Sequence, residues 1–423
     1  MRPVTLLAAA ALLIAPAARA QTIAITGARI HTAAGPVIER GTLVMRDGRI
    51  AAVGADVAVP AGARVIDAAG KVVTPGLIDS HTQLGVVEVG AVAVTRDGAV
   101  ADDRITAAFN VADAINPLSG LIPVNRVAGI TRAVVAPSTG ASLIAGQGAL
   151  IDLGGGDRAE ATIVKNPVAM FASLGAAGAR RAGGSRAAAA LRLREAFQDA
   201  RDHAAHRGAF DAGSRREYAL SRLDLEALAP VVRGELPLAI RVDRAADIRL
   251  ALRLAGELGF RPVLVGAAEG WVVAGEIARA GVPVIINPFK NIPDFEGMQA
   301  TLENAARMAA AGVDVAFASF DSHNARNLRQ ATGIAIAHGM PYDAALRAVT
   351  ALPARIWGIA GEAGTLEVGK VADVVVWSGD PFELTTRAEH VFIRGREMPP
   401  DNRRRALFER YREPGALPPA YRH

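Results

Sequence analysis

With eight histidines and no cysteine, this 423-residue chain must draw any catalytic or metal-binding chemistry from His, Asp, Glu, Lys or Ser. Disulfides, thiolate zinc sites, a cysteine lipid anchor and a cysteine nucleophile are excluded. His31 and His390 fall in strand-like segments and His423 in the tail, while His338 stands before Gly339-Met340-Pro341 as a helix C-terminal cation would. His203 and His206 are spaced His-x-x-His, which can hold a metal, but the face carries no recurring acid and looks solvated. His81 and His323 are the histidines left for chemistry.

The elements that must position them change character along the chain. Between Thr22 and Thr74 short strand-like runs (Ile23-Ala24-Ile25, Leu43-Val44-Met45, Ile50 to Val53, Val65-Ile66) are separated by turn signals such as Asp47-Gly48. The pattern returns in Ala372 to Trp377 and His390 to Ile393, so a composite β-sandwich is expected from residues 21–74 plus 361–400. Apolar runs at Leu238–Val242, Pro262–Val265, Pro283–Ile286 and Val313–Ala318 alternate with helical stretches at Ala245–Leu258, Trp271–Ala280 and Thr301–Ala311. Such repeats need right-handed crossovers and a parallel sheet. No Gly-x-Gly-x-x-Gly loop follows these strands, which favours an α/β fold of the TIM-type (β/α)8 barrel class over residues 75–360. Residues 175–208, rich in Gly, Ala and Arg, are expected as an insertion over one end of the barrel, with a helix over Ala187–Ala205 after an N-cap at Ser185. Residues 401–423 form a tail.

Arg2, the apolar stretch Leu6 to Ile14 and Ala18-Arg19-Ala20 read as a signal peptide cleaved after Ala20, too short to span a bilayer. An exported, periplasmic protein without a membrane span is expected. Cleavage removes Arg2 and Arg19 and no acid, so the formal charge of +5 falls by two. Basic residues are dispersed apart from Arg403-Arg404-Arg405, and no motif points to nucleic acid.

The segment Thr74-Pro75-Gly76-Leu77-Ile78-Asp79-Ser80-His81-Thr82-Gln83-Leu84-Gly85 resembles the first barrel strand of the amidohydrolase superfamily. Gly364-Thr365-Leu366-Glu367-Val368-Gly369-Lys370-Val371-Ala372-Asp373 resembles the family's sandwich-closing segment, and Ala345 to Gly358 the helix and turn before it. Leu84-Gly85-x-x-Glu88 and Asn304 to Gly312 are most similar to the imidazolonepropionase-like exported branch. The resemblance implies a hydrolase of carbon–nitrogen bonds, non-peptide or short peptide-like, in which a metal-bound water is the nucleophile. It implies His81 as a metal ligand and Asp321 as the base that takes the proton; a helix N-cap is the plainer role for Asp321.

The same resemblance exposes departures. Gln83 stands where the second histidine of His-x-His belongs. Arg241-Val242-Asp243-Arg244 replaces a His-x-His-Arg pattern, and Gly266 replaces a further histidine. Arginine has no lone pair to coordinate with. A two-metal site is therefore out of reach. One divalent ion, zinc by preference, would need His81, Asp321 and either Asp243 or His323. Lys165 and Lys290 are the lysines expected at the barrel mouth, with Gln83 and Arg241 as further substrate contacts. Two functional readings follow: a small-molecule hydrolase with at most one metal, and a metal-free, catalytically silent relative that binds a small anion or pairs with an active relative. A homo-oligomer is expected only by analogy with the fold.

Overall fold

The computed structural model describes residues 22–214 and 216–412; the expected leader with its cleavage site, and the tail beyond 412, lie outside the described residues. Five strands open the chain: β1 Ile23–Ile30, β2 Ile38–Arg46, β3 Arg49–Gly54, β4 Arg64–Asp67 and β5 Val72–Pro75. Eight more follow: β6 Leu77–Thr82, β7 Ile130–Val135, β8 Ile144–Asp152, β9 Ile163–Ser173, β10 Leu238–Val242, β11 Pro262–Gly266, β12 Val284–Ile286 and β13 Val315–Phe317. The last three are β14 Val374–Trp377, β15 Ala388–Ile393 and β16 Arg396–Glu397.

Both chain ends build one eight-stranded sheet, ordered β16-β15-β14-β5-β1-β2-β3 with β4 beside β1. Asp47 and Gly48 both have positive φ, 53° and 75°, as the tight hairpin turn between β2 and β3 requires. β14 shows the period-two logic: Val374 and Val376 enter the core of this sheet, while Val375 and Trp377 face the barrel. Two buried polar contacts fix the joint between the layers. Arg132 Nε of β7 pairs with Asp373 Oδ2 at 2.6 Å, and Trp377 Nε1 donates to Thr74 Oγ1 at 2.8 Å.

The second sheet is an eight-stranded, nearly closed barrel ordered β13-β12-β11-β10-β9-β8-β7-β6. Its strands are parallel except β8, which runs antiparallel to both β7 and β9. The ring thus departs from strict strand–helix alternation. The links 136–143 and 153–162 are shorter than the dozen or so residues that a parallel crossover needs, so this stretch folds as a meander. From β9 onward the expected repeat holds, with a helix over Ala245–Leu258 between β10 and β11. Closure between β13 and β6 rests on few bonds. Phe320 N–H donates to His81 C=O at 3.1 Å, Ser319 N–H to Asp79 Oδ1 at 3.0 Å, and Thr82 Oγ1 to Asp321 C=O at 2.6 Å.

The Gly/Ala/Arg-rich stretch expected as an insertion belongs to the crossover from β9 to β10. Helix Arg186–Ala205 follows an extended Ser185 and buries Leu193 and Phe197 in the barrel's outer core, because its apolar positions recur with helical spacing. Only the short helix Gly175–Arg181 edges the barrel mouth. No helix among the described residues is long and apolar enough to cross a membrane.

Candidate active site at the barrel mouth

Within β10, Ala239 points into the barrel while Leu238, Ile240 and Val242 point outward. Alternation therefore aims Arg241 and then Asp243 at the mouth. There they line a cavity of about 340 Å³ together with His81, Phe171, Arg180 and Glu296. Arg241 Nε lies 3.3 Å from Asp243 Oδ2, with the arginine about half exposed and the aspartate mostly covered. The guanidinium carbon stands 5.3 Å from the centre of the Phe320 ring, a cation–π distance. Burial pushes the Asp243 carboxyl up, and the charge of Arg241 only partly offsets it.

Gly266 makes this pair possible. A Cβ on Gly266 would fall well inside contact distance of Asp243 Oδ1 and 3.1 Å from Arg241 Nε, and its φ of +96° already disfavours a side chain. The missing histidine at 266 and the Arg241–Asp243 pair are thus one structural change.

His81 is partly buried, its ring edge-on to Phe171 and Phe320 with ring centroids 5.6 and 4.9 Å away. Burial, and then the positive charge of Arg241, push its pKa down to about 3, so the ring is neutral at physiological pH. Its Nδ1 has no hydrogen-bond partner among the described residues.

The other expected ligands lie elsewhere. Asp321 and His323 line a neighbouring, wider cavity of about 760 Å³, with Gln83, Arg96, Arg181 and Phe320. Asp321 Oδ1 accepts the Asn324 N–H at 3.0 Å, a cap on the turn after β13. Gln83 Nε2 donates to Ser138 Oγ at 2.5 Å, and Ser138 borders both cavities. The structure brings His81, Arg241 and Asp243 together, and places Gln83, Asp321 and His323 on the far side of Phe320 and Ser138.

One lysine expectation needs correction. Lys165 occupies the third position of the eleven-residue β9, at the end opposite the mouth, where Nζ donates to Trp357 C=O at 2.9 Å. Strand length alone carries it roughly 25 Å from the mouth end of that strand. Lys290 is at the mouth end of β12 but exposed on the rim, away from the lining. The His203-x-x-His206 pair also departs from a solvated face. His203 is buried with its ring against Tyr218, and His206 Nδ1 meets Asp202 at 3.0 Å.

Among the described residues no group of three His, Asp or Glu side chains is gathered for a metal ion. His81, the ligand the resemblance implies most directly, faces a guanidinium, so a divalent cation beside it would meet like charge. These residues do not fit the implied zinc.

Two functional features escaped the sequence. Asp79, fully buried at the barrel seam, accepts the N–H groups of Ser319 and His81 at 3.0 and 3.2 Å. Burial pushes its carboxyl up to about 7; the available signal was an acid inside the apolar strand Leu77–Thr82. Glu269 accepts the N–H groups of Ala245 and Gln299 at 2.9 and 3.0 Å. Its role is to hold the loops around the mouth.

The family model of the Amidohydrolase family matches residues 296–398. Amidohydrolase tasK of Hapsidospora irregularis is 25% identical over 388 residues, 85% of this chain, but the chain spans only 39% of that relative's length. Imidazolonepropionase of Klebsiella pneumoniae is 58% identical over 48 residues, 11% of this chain and 12% of the relative. Among solved structures, an amidohydrolase from Thermotoga maritima superposes with a TM-score of 0.80 at 27% identity, covering 89% of this chain and 99% of the other. The barrel, the composite sheet and these likenesses agree in supporting the amidohydrolase superfamily, with the imidazolonepropionase likeness carried by a 48-residue stretch.

Proposed function

We propose that the chain, once exported, hydrolyses a carbon–nitrogen bond of a small molecule held in the cavity of His81, Arg241 and Asp243. Its similarity to amidohydrolases supports the reaction class. The observation that carries the site is the Arg241–Asp243 pair, 3.3 Å apart at the end of β10. Attack of water on an amide-like carbonyl needs a proton acceptor and a counter-charge for the oxyanion. Asp243, whose carboxyl is pushed up by burial, suits the first task better than Asp321, which caps the Asn324 turn in the adjoining cavity. Arg180, which lines the same cavity, suits the second. Neutral His81 packs the wall behind them.

The test is a panel of N-acyl amino acids and cyclic imides with the purified chain, with and without added zinc. Hydrolysis that falls at least about a hundredfold in kcat for Asp243→Asn, with folding intact, supports this reading. No turnover of any panel member, with or without metal, rejects it for these substrates in favour of the silent relative. That second reading gains support from the guanidinium standing where cation ligands were expected.

A further inference from the structure

We propose that the barrel mouth is an anion site in the place of a cation site: Arg241 takes a carboxylate of the ligand on its two terminal nitrogens, and no divalent ion binds there. The inference concerns the cavity of the proposed hydrolase but does not depend on bond cleavage.

Four observations converge. Nε of Arg241 is occupied by Asp243 at 3.3 Å, and among the described residues no hydrogen bond is made by its terminal nitrogens. Those nitrogens form the fork that matches a carboxylate. The guanidinium carbon stands over the Phe320 ring at 5.3 Å, and the φ of +51° at Phe320 is rare for an aromatic residue. Gly266 supplies the room: any side chain there would displace Asp243 and crowd Nε. The imidazole of His81, which would have to bind a metal, packs edge-on against two phenyl rings and stands next to a fixed positive charge.

The walls also select among anions. Asp243, Asp294 and Glu296 line the same cavity, and Glu296 is itself paired with Arg186 at 3.1 Å. A dianionic phosphate would be repelled by these acids, whereas a single carboxylate is tolerated. Across the cavity Arg180 adds a second positive charge. A ligand carrying one carboxylate next to its amide therefore fits, and the carboxylate released by amide hydrolysis would use the same fork.

Calorimetric titration of the purified chain with N-acetylglycine, N-acetylglycinamide, inorganic phosphate and zinc chloride tests this. The expected result is saturable binding of N-acetylglycine, at least about tenfold weaker binding of the neutral amide and of phosphate, and zinc content well below one equivalent after dialysis. Arg241→Met should weaken N-acetylglycine at least about tenfold, and Arg241→Lys should recover part of the loss. Circular dichroism melts of both variants control for folding, and unchanged binding in a folded Arg241→Met chain overturns the proposal. So does one equivalent of zinc that is lost in His81→Ala. Binding of N-acetylglycine without hydrolysis of any amide leaves the anion site standing and removes the proposed hydrolase. Hydrolysis with no carboxylate preference does the reverse.

Discussion

Gly266 and Asp243 occupy one volume: the space a Cβ would take on the glycine is filled by the Oδ1 of the aspartate. The two lie at the ends of neighbouring parallel strands, Val242 being paired with Gly266. Gly266→Ala must therefore move the carboxylate and strain a backbone at φ +96°. We expect a loss of about 1–3 kcal/mol in urea unfolding, together with weaker N-acetylglycine binding. Unchanged stability would mean that the pair swings aside freely.

Asp79 should leave its mark on pH dependence. Its carboxyl ionises near 7 when folded and near 3.8 when unfolded, so above pH 4 the folded state holds a proton that the unfolded chain has released. Stability then falls as pH rises through this window and levels off above about pH 8. Between pH 6.5 and 8 the loss is about 1 kcal/mol, and Asp79→Asn should flatten it. Urea titrations at several pH values read the slope, which is insensitive to the absolute cost of the substitution.

His81 acts in the opposite sense. With its folded pKa near 3, the native ring refuses the proton that the unfolded chain takes up below about 6.5, so its contribution lowers stability as pH falls from there. The imidazole resonances of His81 should show no titration between pH 8 and 5. A midpoint near 6 would mean that the ring is far better hydrated than its packing against Phe171 and Phe320 implies.

The Arg132–Asp373 pair is almost wholly buried, at 3% and 6% side-chain exposure. Asp373 also accepts the Arg394 N–H at 2.9 Å. Removing one partner strands a charge, so Asp373→Ala or Arg132→Met should cost about 3–5 kcal/mol, and the double replacement less than the sum. Thermal melts of the three variants check this.

The composite sheet was legible because its strands are short apolar runs set between turn signals and Asp47-Gly48 dictates a hairpin. Likewise β10 to β13 and their helices announce themselves by their spacing. The meander of β7 to β9 was not legible, since strand direction depends on which neighbours pair and on link length. Lys165 was misplaced for the same reason: inside an eleven-residue strand, motif reading cannot tell which end faces the mouth. The departures at Arg241 and Gly266 were visible as single positions. Their mutual dependence came from geometry, as did the wall of Phe320 that parts His81 from Asp321.

A sheet assembled from both ends imposes an order on synthesis. β5 is flanked by β1 and β14, so the first strands to emerge keep an unpaired edge until nearly the whole chain has been made. Ile25, Leu43 and Met45 share their core with Val374, Val376 and Phe392. During translation this greasy half-sheet needs shelter, by a chaperone or by rapid collapse of the intervening barrel, and a chain truncated before β14 should aggregate rather than fold.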